Sequence, residues 1–146
     1  MSVALVDDHL LLRILLDDEP ASLRDGADTI ATTGLWYHRL CRALADQAVI
    51  GSMSRRLGAV ADPTAAAVVR AVIDLPETVE LMSLRTLGWP MARLVNDGAR
   101  INLLSLEALA AAKARGAVIH LAEADDNVSL RRAATQAGVI VRTVTD

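Results

Sequence analysis

Val3-Ala4-Leu5-Val6-Asp7-Asp8, near the start of the chain, is a run of four apolar residues followed by two adjacent aspartates. A short, unbroken apolar run is typical of a strand that is buried on both faces, as the strands of a parallel sheet are. The residues from Leu10 to Leu16 have the apolar spacing of a helix, which Pro20 stops. This opening predicts a buried strand, an acidic junction and a helix.

The same alternation of strand and helix patterns continues along the chain. Four further strands are predicted at Asp28–Thr33, Val79–Leu84, Ala117–Ala122 and Val139–Val144. Two of the predicted helices are Gly34–Gln47 and Val128–Ala137, and a third, Leu106–Arg115, is capped by Ser105. A fourth helix has Asp62 as its N-cap and Pro63 in its first position, and it runs through Ala65–Ile73. A fifth has Trp89-Pro90 near its start and ends around Asn96–Gly98. Residues Gly51 to Gly58 have the composition of a turn. This order predicts a single three-layer α/β domain over residues 1–146, with a mostly parallel central sheet flanked by helices.

The composition excludes several classes of protein. Hydrophobic residues make up 53% of the 146 residues, so the chain is too apolar for intrinsic disorder, and a single cysteine, Cys41, excludes a disulfide scaffold. No apolar run reaches the length of a membrane helix, and Asp7 and Asp8 stand where a signal peptide would be apolar. We therefore expect a cytoplasmic protein with no membrane association. The surplus of apolar residues predicts a further buried surface, such as a homodimer interface.

Acidic residues follow the predicted strands. In open α/β sheets, ligands bind beyond the carboxyl ends of the strands. The acids expected at this edge are Asp7 and Asp8 after the first strand, Glu123, Asp125 and Asp126 after the fourth, and Glu107 in the first turn of the helix between them. Carboxylates gathered at one edge repel one another unless a cation joins them, and hard oxygen ligands suit Mg²⁺ or Mn²⁺. Such a metal could generate a hydroxide for attack on a phosphodiester.

A simpler interpretation of the same acids is helix capping. Asp8 can be the N-cap of the helix that follows it, and Asp126 or Asn127 can cap the last helix. Glu107 can be an acid in a first turn, where the helix dipole favours negative charge. One carboxylate can also cap a helix and bind a metal at the same time, so both interpretations stay open.

Both ends of the chain resemble the PIN domain family. Val3-Ala4-Leu5-Val6-Asp7 and the helix up to Pro20 resemble the opening of PIN domains, in which a strand ends in a metal-binding aspartate. The segment Leu104–Ala112, with Glu107-Ala108, resembles the family's acid-bearing helix. Ala117–Leu121, Asp125-Asp126, Leu130–Ala134 and Gly138–Val141 resemble its closing strand, acidic loop, helix and strand.

This resemblance implies a function and a set of residues. PIN domains include the VapC-type toxins, which are Mg²⁺-dependent ribonucleases paired with antitoxins. By this likeness Asp7, Glu107 and Asp125 or Asp126 would bind the metal, with Asp7, Glu107 and Asp126 taken as the catalytic set and Asp8 as a supporting acid or cap. Arg131 and Arg132, which follow the acidic loop, would contact the phosphates of an RNA.

The chain departs from the PIN pattern on the helix after the second strand. The family supplies a glutamate there, whereas Thr33-Gly34-Leu35-Trp36-Tyr37-His38-Arg39 aligns Arg39 with that position. We hypothesise that Arg39 reaches the acids and replaces the metal by ion pairing, which would leave a PIN-like binding module without nuclease chemistry. If Arg39 points away, His38 becomes a candidate ligand, although imidazole suits Mg²⁺ poorly. Both an active ribonuclease and an inactive binding module remain open.

Three further features receive weaker interpretations. Val6-Asp7-Asp8-His9 resembles the acidic pair of response-regulator receiver domains, but residues 48–52 offer no phosphoacceptor aspartate and Lys113, the single lysine, lies within a predicted helix. A degenerate receiver domain is therefore a minor alternative. The histidines, at positions 9, 38 and 120, are too scattered to predict a zinc site. The three aromatic residues are too few for a stacking platform on single-stranded nucleic acid.

Overall fold

The computed structural model describes residues 2–46 and 52–145. Five strands form one sheet: β1 (Val3–Val6), β2 (Thr29–Thr33), β3 (Val79–Met82), β4 (Val118–Ala122) and β5 (Val141–Val144). The described α-helices are α1 (Asp8–Leu15), α2 (Gly34–Ala45), α3 (Ser52–Gly58), α4 (Asp62–Ile73), α5 (Leu84–Asn96), α6 (Leu103–Arg115) and α7 (Val128–Ala137), and short 3₁₀ turns cover Ala21–Arg24 and Glu123–Asp125. Every neighbouring pair of strands is parallel. The predicted α/β class with a parallel central sheet is confirmed.

The order of strands in the sheet is β3-β2-β1-β4-β5. After β1 the chain builds one half of the sheet through β2 and β3, and it then crosses back to add β4 on the other side of β1. The direction of winding therefore reverses between β1 and β4, which is where ligands bind in open α/β sheets. Receiver-type sheets have the order 2-1-3-4-5, so this strand order argues against the receiver alternative. Residues 48–51, which that alternative uses as a strand, lie outside the described residues.

Helices cover both faces of the sheet and give two hydrophobic cores. On one face, α5, α6 and α7 pack around Leu109, Ile119 and Leu121. On the other face, α1, α2 and α4 pack around Leu11, Leu40 and Val72. Helix α6 is buried continuously from Ser105 to Ala112 because its many alanines allow it to lie close to the sheet. Within the described ranges, no helix combines the length and the apolar character that crossing a bilayer requires.

Several predicted helix starts were wrong by one to three residues. The N-cap of α1 is Asp7, not Asp8, and its side chain accepts a hydrogen bond from the Leu10 amide. Helix α6 begins at Leu103 because the side chain of Asn102, rather than that of Ser105, caps it, which moves Glu107 into the second turn. The N-cap of α4 is Ala61, so Pro63 is the second helical residue.

Other element boundaries differ for local reasons. The third strand ends at Met82 because Ser83 caps α5, and this early start puts Pro90 in the middle of that helix. The last strand begins only at Val141, since Gly138 adopts a left-handed conformation (φ 73°) and the Val139 amide still bonds to α7. The turn predicted from Gly51 to Gly58 is a helix from Ser52 onward, and Gly51 and Gln47 lie outside the described residues.

The packing of α6 gives a direct test of the fold. Leu109 is fully buried between α6 and the sheet, whereas Leu103, in the same helix, is 60% exposed. We expect Leu109→Ala to lower the free energy of unfolding by about 3 kcal/mol, because the lost contacts and the cavity both destabilise the protein. The matched change Leu103→Ala should cost less than about 0.5 kcal/mol. Urea unfolding monitored by circular dichroism measures both values, and equal effects would contradict this packing.

Candidate functional site

Asp7 connects the ends of β1 and β4. Its side chain is fully buried, with Oδ1 accepting a hydrogen bond from the Leu10 amide (2.9 Å) and Oδ2 accepting one from the Ala122 amide (2.8 Å). Burial raises the pKa of Asp7 well above its usual range, and a hydrogen bond to Asp125 raises it further. Asp7 therefore caps α1 and fixes the end of β4 through two backbone amides.

Arg39 reaches the acids from α2. Its guanidinium donates to both carboxylate oxygens of Asp8, from Nε to Oδ2 and from Nη2 to Oδ1 (2.6 Å). The same Nη2 also donates to Oδ2 of Asp125 (2.5 Å). Asp8 is fully buried at the first position of α1, so a bidentate guanidinium is well suited to neutralise it. These contacts place Arg39 where the sequence hypothesis expected it, across two of the acids.

His9 is a member of the site that sequence analysis did not single out. Its Nδ1 lies 3.1 Å from Asp8 Oδ1 and 3.3 Å from Asp125 Oδ2. Two hydrogen bonds raise the pKa of His9 to about 10, and the one to Asp125 contributes more than the one to Asp8. The imidazole is therefore a cation at neutral pH. Its position directly after Asp8 is the sequence signal that points to it, and the separation of the three histidines along the chain argues only against a zinc site.

Asp7, Asp8, His9 and Asp125, called here the acidic cluster, each offer one ligand atom within 4.8 Å of the others. Burial raises the pKa of Asp125, but hydrogen bonds from His9, Asp7 and Arg39 outweigh it and hold that pKa below its usual range. Two cationic side chains of this chain, Arg39 and His9, contact both Asp8 and Asp125. The cluster therefore supplies partners of opposite charge to these two acids from within the chain.

Glu107 is buried but lies outside the acidic cluster. It projects from α6 to the start of α2, where its Oε1 accepts a hydrogen bond from the Leu35 amide (2.8 Å). Its Oε2 is buried and has no hydrogen-bond partner among the described residues. A Cβ at Gly34 would stand 3.8 Å from Oε2, which is ordinary van der Waals contact, so the carboxylate of Glu107 lies directly against the first residue of α2. Glu107 thus stabilises the positive end of α2.

The other residues predicted for the site point away from the cluster. Asp126 is exposed and pairs with Arg131 (Oδ1 to Nε, 2.5 Å), and this hydrogen bond lowers the pKa of Asp126. Arg131 also bonds to Thr143 in β5, so its guanidinium is held beside the sheet edge. His38 and Arg132 are exposed on their helices. Of the two neighbouring aspartates, the structure brings only Asp125 to Asp7.

The acidic cluster contains donor types that are compatible with a divalent-metal site, namely carboxylate oxygens and one imidazole. Their present arrangement does not fit a metal ion. Both oxygens of Asp8 bond to Arg39, and Oδ2 of Asp125 bonds to Arg39 and lies within reach of His9. A divalent cation would have to displace Arg39 and would meet a protonated imidazole.

An open cleft of about 800 Å³ lies beside the cluster. Asp125 and Asp126 form one wall, and the segment from Arg100 to Asn102 forms part of the other. The cleft is large enough for a segment of polymer to approach Asp125. Asp125 is the residue of the acidic cluster that lines this cleft.

Comparison with known proteins supports the fold and nothing finer. No protein-family model matches the chain, and no curated protein matches it. Among solved structures, it is similar to VapBC2 from Rickettsia felis bound to a DNA fragment from their promoter, with a TM-score of 0.52 and 12% identity over 98% of this chain and 99% of that chain. A likeness at this identity supports a PIN-like α/β fold.

The charge of His9 gives a prediction for pH dependence. A histidine whose pKa is 6.5 in the unfolded chain and about 10 in the fold stabilises the fold fully below about pH 6.5. That stabilisation is lost as the pH rises toward about 10, because the folded protein must then release the proton as well. The free energy of unfolding, measured with EDTA present, should therefore fall over this range in the parent protein and fall less in His9→Gln.

The matched control for this experiment is His38→Gln, which changes an exposed histidine on α2. Its pH profile should follow that of the parent protein. Parallel profiles for the parent and His9→Gln would show that His9 does not carry the charge assigned to it.

Proposed function

We propose that this chain is a single PIN-like domain that acts as a binding module, with an acidic site closed by its own Arg39. One observation carries the proposal: Arg39 bonds to Asp8 through two nitrogens and bridges from Asp8 to Asp125. In this interpretation the guanidinium takes the position of a metal ion. A metal-activated hydroxide for RNA hydrolysis is then not available at this site.

The electrostatics of the site favour this interpretation. Asp8 is fully buried, and removing the partner of a buried charge typically costs about 3–5 kcal/mol. A divalent cation that displaced Arg39 would have to offset that loss and the repulsion from His9, whose raised pKa keeps it protonated. Mg²⁺ also gives up its hydration shell reluctantly. Metal binding by the parent protein is therefore expected to be weak.

The proposed partner of this module is a protein of antitoxin type. The first ground for this proposal is the similar VapBC2 structure, which is a complex bound to promoter DNA. The second ground is the acidic site, which Arg39 closes. A closed site favours a role in binding over a role in catalysis. A cytoplasmic location and formation of a homodimer belong to the same proposal.

A second candidate function is an Mg²⁺- or Mn²⁺-dependent ribonuclease. Two observations favour it: the acidic cluster gathers its ligand atoms within 4.8 Å, and the buried Oε2 of Glu107 has no hydrogen-bond partner among the described residues. If Arg39 moved out, Asp7, Asp125 and Glu107 would be the residues to hold the ion. The metal would supply an activated water when bound. In this version Asp125 replaces Asp126 in the set that the sequence suggested.

Metal binding by the parent protein and by Arg39→Glu tests the proposal. The parent should show no saturable Mn²⁺ binding in isothermal titration calorimetry at millimolar metal. Arg39→Glu places an acid at this position, so it should show saturable Mn²⁺ binding in the same titration. Arg42→Glu, an exposed change on the same helix, is the matched control and should behave as the parent does. Tight binding by the parent would overturn the proposal.

Cleavage of RNA is the second part of this test. The binding module should leave mixed cellular RNA intact with either Mg²⁺ or Mn²⁺, and Asp7→Asn should change only the stability of the fold. Cleavage by the parent that disappears in a folded Asp7→Asn variant would instead establish the ribonuclease function.

A further inference from the structure

A groove runs between α5 and α6 on the opposite side of α6 from the sheet. It has a volume of about 350 Å³, and its walls include Trp89 and Leu94 from α5 and Ala110 and Ala114 from α6. A second hollow of about 140 Å³ shares Leu94 and Lys113 with it and continues between α6 and α7. We call the two hollows together the α6 groove. Neither contains a residue of the acidic cluster.

Trp89 is the most conspicuous residue of the α6 groove. It is 76% exposed, whereas the only other tryptophan of the chain, Trp36, is 3% exposed in the core. A large apolar side chain left in water is typical of a binding surface, and tryptophan is among the residues that contribute most to protein interfaces. In the described structure the side chain of Trp89 is not part of either hydrophobic core. A partner that covered it would therefore bury apolar surface that is now in contact with water.

The rim of the α6 groove is basic. Arg85 and Arg93 stand four residues before and after Trp89, so the three side chains share one face of α5. Lys113 faces them from α6. Among the described residues, none of these three cations forms an ion pair with an acid, and the only acid that lines the groove is Asp97. A chain of net charge −3 thus carries a local basic surface around an exposed tryptophan.

We propose that the α6 groove binds an acidic, amphipathic helix of a partner protein. The apolar side chains of that helix would lie against Trp89 and Ala114, which are exposed, and its carboxylates would pair with Arg85, Arg93 and Lys113. The small side chain of Ala114 leaves room for a helix to approach α6 closely, while Leu94 and Ala110 are already buried in the groove wall. This inference rests on the proposed function as a binding module, and it specifies the surface and the chemistry of the partner.

Two other occupants fit the observations less well. A second copy of this chain in a two-fold arrangement would bring the same basic rim against itself, which repels. Single-stranded nucleic acid stacks its bases on several aromatic residues, and this groove offers one, above an apolar floor. The basic rim and the apolar floor of the groove together favour an acidic, amphipathic helix over these two occupants.

The test uses the full chain and two labelled synthetic peptides. Both peptides form helices with leucines at the same helical spacing, and they carry glutamate or lysine at the remaining positions. Fluorescence anisotropy should show saturable binding of the glutamate peptide that weakens with added salt. Trp89→Ala, Arg93→Glu and Lys113→Glu should each weaken it at least about tenfold. The matched control Arg70→Glu, an exposed change on α4 across the sheet, should leave the affinity unchanged.

Four results would overturn the proposal. These are equal binding of the lysine peptide, unchanged affinity in all three groove variants, Trp89-dependent binding of an oligouridylate in place of the peptide, and a dimer in sedimentation that Trp89→Ala dissociates. The altered side chains are exposed, and circular dichroism verifies that each variant folds. Failure here is distinct from failure of the proposed function, since RNA cleavage with Mn²⁺ overturns the latter and does not involve this groove.

Discussion

Three carboxyl groups meet at the junction of β1 and β4, and the surrounding structure depends on how their charge is neutralised. Burying several acids together is unfavourable unless hydrogen-bond donors and cations surround them. Two backbone amides serve Asp7, while Arg39 and His9 serve Asp8 and Asp125. Helix α2 takes part in this neutralisation, because it brings Arg39 to the cluster.

A shared fold does not imply a shared reaction. The chain has the layered α/β architecture of a PIN-like neighbour, but the chemistry of such a fold depends on a few side chains at the carboxyl edge of its sheet. At that edge this chain carries Arg39, whose guanidinium bonds to Asp8 and Asp125. This ion pairing matters more for the chemistry than the likeness in fold, because a metal site depends on the net charge and the free lone pairs of its ligands.

The sequence predicts those features of the structure that depend on local residue patterns. Short runs rich in apolar residues identified the strands, and the order of strands and helices identified the sheet as parallel. The acids at strand ends and the unusual Arg39 were also visible, because their positions follow from the order of elements. The start of α6 was missed because Asn102 and Ser105 are both good caps, and a single sequence does not rank them.

Side-chain direction was the main limit of prediction. Asp125 and Asp126 are adjacent, and only the turn at Glu123–Asp125 determines that one faces Asp7 while the other pairs with Arg131. Glu107 matches the spacing of a metal ligand, yet its carboxylate is drawn to the amide of Leu35, 72 positions away in the chain. The contact between His9 and Asp125 and the shape of the α6 groove both depend on packing between distant segments. The periodicity of a sequence does not predict such packing.

The long sequence separations within the acidic cluster also bear on how the protein reaches its native state. Asp7 and Ala122 are 115 residues apart, and Arg39 and Asp125 are 86 apart. Contacts of this kind close large loops, and loop closure costs entropy that must be offset before the contacts form. The ion pairs of the cluster are therefore complete only when both halves of the chain have come together.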